Sequence, residues 1–284
     1  MPVYFSTGGY KNSNTINVVE DLIANGLNYI ELSGTSYVPD NIKKLTEFKS
    51  SARFQIHNYF PPPKNPFVIN LASMNQEIYK KSLDHIFNAI ESCEKINSSH
   101  YSFHAGFLCD IDVSEIGKSV KKKLLQNKED STSLFIDRLK LVSDKAKKHN
   151  INIMLENNVL SKKNLEIFGK NPLLMCDVND SLDIINNTPD NIKLLVDVAH
   201  LKVSANSLNF KCEDFFSKCE NLIAGYHLSD NDGLSDSNST YDENAWFWKY
   251  LNKNLDYYSI EVYNLDFEQI LRLYSLTKKK LNIL

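Results

Sequence analysis

Arginine is scarce in this chain: Arg53, Arg138 and Arg272 are the only three among 284 residues. All 32 basic residues are outnumbered by 35 acidic ones, for a net charge of −3. Such a surface exerts no general attraction on phosphate backbones, so a nucleic-acid partner is not expected. Long apolar runs are also lacking. No stretch approaches the ~18 apolar residues of a membrane span, and the opening MPVYFSTGGY shows no basic leader before an apolar segment. A cytoplasmic protein with no membrane partner is expected. The five cysteines, Cys93, Cys109, Cys176, Cys212 and Cys219, are odd in number, widely spaced and form no CxxC pair. That argues against a disulfide framework or a thiolate zinc site and fits reduced thiols. There is no GxGxxG or P-loop turn after the first β-rich run, and no Pro/Gly linker or composition break marks a second domain.

What the chain does have is a regular alternation. With 42% hydrophobic residues it can bury a sizeable core. Short β-rich runs alternate with longer helical patterns from end to end, the mark of βαβ units. Eight strands are predicted: Val3–Thr7, Tyr29–Ser33, Arg53–His57, His100–His104, Ile151–Glu156, Lys193–Asp197, Ala224–His227 and Tyr258–Glu261. IYKKSLDHIFNAIESCEKI (78–96) repeats its apolar residues at three- and four-residue steps and is read as a helix, as is DFEQILRLYSLTKKKL at the end of the chain. Eight such units predict an α/β protein, a single (β/α)8 TIM barrel over residues 1–284, with a doubly wound open sheet as the alternative. The segments PPPKNPF (61–67) and GLSDSNSTYDENAW (233–246) are expected to be loops.

The six later strands share a peculiarity. LLVDVAHL (194–201) begins as a buried strand and then places Asp197 and His200 where the strand should stop. The others behave alike: His57 ends FQIH, His104 ends YSFH, Glu156 ends IMLE, His227 ends AGYH and Glu261 ends YSIE. A lone strand-end histidine reads most simply as a hydrogen-bonded structural group, and a lone carboxylate as a helix cap. Six together read differently. In a barrel all parallel strands open at one face, so these groups converge, and clustered carboxylates at a low-dielectric mouth repel unless a cation sits among them. Imidazole and carboxylate are ligands for zinc, manganese or ferrous iron.

The order His57, His104, Glu156, Asp197 with His200, His227, Glu261 resembles the xylose-isomerase-like barrel superfamily, which holds both sugar isomerases and epimerases and the endonuclease IV family. The likeness runs from about Phe54 to Glu261. FVINLAS, YSFHAGF and DVAHLKVSA are most similar to the endonuclease branch, and HLSDND to both. The resemblance implies that Glu156, Asp197, His227 and Glu261 bind one divalent metal, Zn2+ or Mn2+, and that His57 and His104 bind a second with Glu156 bridging. The endonucleases take a third ion on the histidine corresponding to His200 and a later Asp-x-His. Asp242-Glu243-Asn244 stands here instead, and asparagine is a poor zinc ligand. In the ketose epimerases an arginine lies shortly beyond the metal histidine; here Gly233 lies six residues after His227.

Two chemistries follow. One is isomerisation or epimerisation of a small carbohydrate or sugar phosphate, with one or two metal ions, Glu156 and Glu261 as the base and acid pair, and His200 orienting a substrate hydroxyl. The other is metal-assisted phosphodiester hydrolysis, weakened by the few arginines and by Asp230, Asp232, Asp236 and Asp242 around the mouth. A barrel that binds carbohydrate without turning it over is the third possibility. Tyr59, Asp230 and Trp246 join His200 as expected substrate contacts. Glu31, ending YIE, is read as a cap or a hydroxyl-recognising group and not a ligand. Lys118 and Lys121 to Lys123 are read as a solvated helix face, or as the source of one lysine for a substrate phosphate.

Overall fold

The computed structural model describes residues 2–10, 13–115, 118 and 120–283. Eight parallel strands close into a barrel: β1 (Val3–Ser6), β2 (Tyr29–Leu32), β3 (Arg53–His57), β4 (His100–His104), β5 (Asn152–Glu156), β6 (Ile192–Asp197), β7 (Ile223–Leu228) and β8 (Tyr258–Ile260). Their order is sequential, and β8 returns to β1 with Val3 beside Tyr258. The predicted TIM barrel and all eight strands are present, with ends shifted by a residue at most.

Nine α-helices are described: α1 (Thr15–Ala24), α2 (Asn41–Leu45), α3 (Gln76–Lys95), α4 (Lys128–Lys148), α5 (Lys162–Phe168), α6 (Val178–Asn186), α7 (Val198–Leu208), α8 (Cys212–Cys219) and α9 (Phe267–Lys280). Their starts are chemically marked. Asn75, Asn127, Ser161, Asp177 and Asp197 each accept a backbone N–H of the first turn, and Asp266 and Gln269 form a full capping box.

Period-two alternation divides each strand between two environments. On β6, Leu194 and Val196 face the large apolar layer between sheet and helices, whereas Leu195 packs inside the barrel with Tyr4, Met154 and Tyr257. Asp197, two residues on from Leu195, shares its inward face. The same parity carries Met154 to Glu156 and Gly225 to His227, so polar side chains fill the upper interior above an apolar and aromatic floor. Gly225 is needed here: a Cβ at that position would stand 2.8 Å from Tyr257 Cβ.

The β7 to β8 connection carries no α-helix among the described residues, as expected of the loop at 233–246. Its Asp/Asn/Ser-rich stretch spends side chains on its own backbone instead: Asp232 accepts from Leu234 and Ser235, and Asp242 from Asn244. One expectation is corrected: residues 120–127, with Lys121 to Lys123, are not a helix face. Lys123 Nζ is held by Glu115 Oε2 at 2.7 Å and by the Asp110 carbonyl at 2.8 Å, which ties this segment to the loop that follows β4; Ser119 lies outside the described residues. Among the described residues no helix is long and apolar enough to cross a membrane, and all five cysteines are free thiols.

Candidate metal centre

Strand ends bring the expected residues together. Glu156, fully buried, lies at the hub, with imidazole nitrogens of four histidines around it: His227 Nδ1 at 3.1 Å from Oε1, His200 Nδ1 at 3.5 Å from Oε1, and His57 Nε2 and His104 Nδ1 each 3.4 Å from Oε2. Local pairing explains part of this, because His104 and Glu156 are register partners on β4 and β5, as are Asp197 and His227 on β6 and β7. Glu261 Oε2 comes within 2.9 Å of His227 Nδ1, and Tyr263 donates its hydroxyl to Glu261 Oε1 at 3.0 Å. Gly8 leaves the room for this, since a Cβ there would lie 2.9 Å from both Glu261 Oε1 and the Tyr263 oxygen.

Two groupings of donor atoms, each within 4.8 Å, emerge: His57, Glu156, His227 and Glu261, and His104, Glu156 and His200. They regroup the expected set. His57 joins the first in the place expected of Asp197, and His200 joins His104 beside the second. Asp197 is at once the last residue of β6 and the N-cap of α7: its Oδ1 accepts the His200 N–H at 2.7 Å, and its Oδ2 is buried without a hydrogen bond, 3.9 Å from His200 Nε2. His200 is seated by the Asn157 carbonyl at 3.0 Å on Nδ1 and by Asp236 Oδ2 at 3.2 Å on Nε2.

Electrostatics follow from this crowding. Burial opposes ionisation of Glu156, yet His104, His227 and His57 hold it well below the usual carboxylate range. Burial also opposes charge on His227 and His200, but Glu31 with Glu156 and Glu261 around the first, and Asp197 with Asp236 around the second, keep both imidazoles well above the ordinary histidine value. Burial pushes Asp197 up to about 7.

Four polar atoms fit a cation further. Glu156 Oε2, Asp197 Oδ2, Glu31 Oε1 and His104 Nδ1 are buried without hydrogen-bond partners, each a cost of about 1–3 kcal/mol if left so. Oxygen and imidazole donors in this proportion suit zinc or manganese.

The expected substrate contacts divide. His200 is in the cluster. Tyr59 turns its hydroxyl to the backbone N–H of Ile69 at 3.0 Å and packs against Phe67 and His85. Asp230 pairs with Lys202 at 2.7 Å, and Trp246 packs among Phe216, Phe247 and Tyr250. Asp242 and Asn244 are exposed, Asp242 capping its own turn; the loop residue that reaches His200 is Asp236. Glu31 stands against the same cluster and in neither grouping of donors. It is fully buried, with Oε2 2.8 Å from His227 Nε2 and accepting the Tyr257 hydroxyl. The available signal was a lone charge between Ile30 and Leu32, inward by parity in a strand whose neighbours face out.

Comparison with known proteins places the chain. A family model described as a xylose isomerase-like TIM barrel matches residues 19–258. The chain spans less than two thirds of the length of the curated relatives it matches. One of them, a probable endonuclease 4 of Thermoplasma volcanium, is 20% identical over 181 residues, covering 62% of this chain and 53% of the relative. Among solved structures, a D-tagatose 3-epimerase-like protein superposes with a TM-score of 0.75 at 21% identity, over 100% of this chain and 98% of that one. The IOLI protein, solved with a zinc atom, superposes at 0.69 and 16% identity, over 99% and 98%. These likenesses establish a shared fold. With the barrel closed and the family match running over most of its length, the chain belongs to the xylose isomerase-like TIM barrel family.

Proposed function

We propose that this chain is a divalent-metal-dependent isomerase or epimerase of a sugar or sugar phosphate. The observation that carries the reading is the buried hub at Glu156: four imidazoles and the Glu261 carboxylate gathered at one end of the barrel, with Glu156 Oε2 and Asp197 Oδ2 buried without hydrogen bonds. His57, Glu156, His227 and Glu261 would hold one Zn2+ or Mn2+, and His104, Glu156 and His200 a second, with Asp197 Oδ2 available as a further donor. A divalent cation there would supply Lewis-acid stabilisation of negative charge that develops on substrate oxygens.

The chain's own groups would do the rest. Glu156 and Glu261, both close to His227 Nδ1, would take and return the proton beside the carbonyl. His200, steadied by Asn157 and Asp236, would orient a hydroxyl. Tyr59, Asp230 and Trp246, engaged elsewhere, would act on substrate by shaping the loops around the mouth. The D-tagatose 3-epimerase-like structure supports the substrate class, and the bound zinc of the IOLI protein supports the metal.

A second reading, phosphodiester hydrolysis, is favoured by the His104, Glu156 and His200 grouping and by the endonuclease 4 relative. Asp236 beside His200 opposes it, since duplex DNA needs cations on that face. Metal content per chain by elemental analysis, followed by ketose and aldose panels in deuterated water and by an abasic duplex, separates the two. Deuterium uptake beside a carbonyl supports the isomerase; strand cleavage without deuterium uptake reverses the ranking.

A further inference from the structure

The geometry points to Tyr257 and Glu31 as a two-residue support that sets the orientation of both histidines on the inner side of the centre, His227 and His57. Resting on the proposed metal role, it makes Glu31 and Tyr257 positioning residues.

His227 has two nitrogens and three carboxylates about it. Nδ1 faces Glu156 Oε1 at 3.1 Å and Glu261 Oε2 at 2.9 Å, while Nε2 faces Glu31 Oε2 at 2.8 Å. If Nδ1 gives its lone pair to a cation, Nε2 must carry the proton, and a buried anion at hydrogen-bond distance holds it there. Glu31 is placed for that: it lies on β2 with Ser6 and Gln55 as register neighbours, and among the described residues His227 is the cationic side chain paired to it. Its Oε2 also accepts the Tyr257 hydroxyl, so two donors converge on that one carboxylate oxygen.

Tyr257 reaches the second histidine through Ser102. That serine lies 2.9 Å from His57 Nδ1 and stands beside the Tyr257 hydroxyl. His57 is thereby oriented with Nε2 toward Glu156, 3.4 Å away. One phenol ties the supports of two rings, and its own position is set by stacking on Tyr4, with centroids 5.4 Å apart, and by the space left at Gly225.

The test uses the full chain labelled with 15N at histidine, with Zn2+ as the probe metal. In Glu31→Gln, Zn2+ affinity measured against a chromophoric chelator is expected to fall about 10- to 100-fold, and the His227 Nε2–H signal to move and to exchange faster with solvent. Unchanged affinity with an unchanged His227 signal would overturn the inference. Should Glu31→Gln fail to fold, Tyr257→Phe keeps the carboxylate and removes only the tie. It is expected to move the signals of both His57 and His227, and a variant that moves neither also overturns it. The metal-free protein gives the same ring signals. If the wild type takes up no Zn2+, the proposed function fails, and the effect of the two variants on those signals still decides whether Glu31 and Tyr257 orient the rings.

Discussion

Glu156 Oε1 and His227 Nδ1 lie 3.1 Å apart although 71 residues separate them, one at the end of β5 and the other on β7, with β6 between. This contact spans the one intervening strand, and it forms because both side chains stand on the inward face of the barrel.

Glu156→Gln keeps the volume of the hub and removes its charge. Zn2+ affinity is expected to fall by about 100-fold or more, and proton exchange on any accepted sugar to disappear, with the far-ultraviolet spectrum unchanged. Elemental analysis after dialysis and deuterium uptake by mass spectrometry check both. Full exchange in this variant would remove Glu156 from the mechanism.

Asp197→Asn separates two roles of one side chain. Asparagine caps helices as well as aspartate, so the start of α7 survives, while the buried acid that burial pushes to about 7 is gone. The metal-free variant is expected to melt at or above the wild-type temperature. The rise in Tm that Zn2+ gives the wild type should shrink, as weaker binding requires.

Gly8→Ala places a methyl group 2.9 Å from Glu261 Oε1 and the Tyr263 oxygen. Both are the far ends of side chains and can yield, so stability should change little. Displacing Glu261 by a fraction of an ångström is expected to lower turnover about 10- to 100-fold. Parallel melting curves and exchange rates test this, and a variant that loses fold and activity together would contradict it.

His85 gives a pH dependence away from the site. Burial lowers its pKa to about 4, and its Nε2–H donates to the Asn58 carbonyl at 3.2 Å. The unfolded chain takes up that proton first as pH falls below about 6.5, so stability is present above that pH and is lost between about 6.5 and 4. The contribution is on the order of 1 to 3 kcal/mol. Denaturation midpoints of His85→Gln should therefore fall less between pH 7.5 and 5 than those of the wild type; equal slopes would exclude His85 as the cause.

Arg138, one of the three arginines, is buried and structural. It donates to the Leu71 and Ser73 carbonyls at 2.6 Å each and lies 3.9 Å above the Tyr79 ring. Arg138→Met leaves two carbonyls without their charged donor and should cost about 2 to 4 kcal/mol, read from urea midpoints.

The fold and the membership of the mouth were legible in the chain because both are local signals. A strand announces itself by Val, Ile, Leu and aromatic runs, and LLVDVAHL or YSIEVYN shows where polarity breaks in. Six strand ends of one chemical kind are enough to expect a cluster. Loop residues were less legible: Tyr59, Asp230 and Trp246 have the chemistry of substrate contacts, but loop paths turn them to Ile69, Lys202 and Phe216. Asp236 reaches His200 from a segment with several equivalent acids, and nothing in its neighbours distinguishes it.

By itself, then, the sequence determined which residues alternate, which strands exist and which side chains end them, since backbone pleating converts residue spacing directly into facing. Barrel closure decided who meets whom. His57 stands with His227 and Glu261, His200 with His104, and Glu31 beneath His227, because distances across the ring are set by strand stagger and by side-chain length, which no residue spacing along the chain encodes.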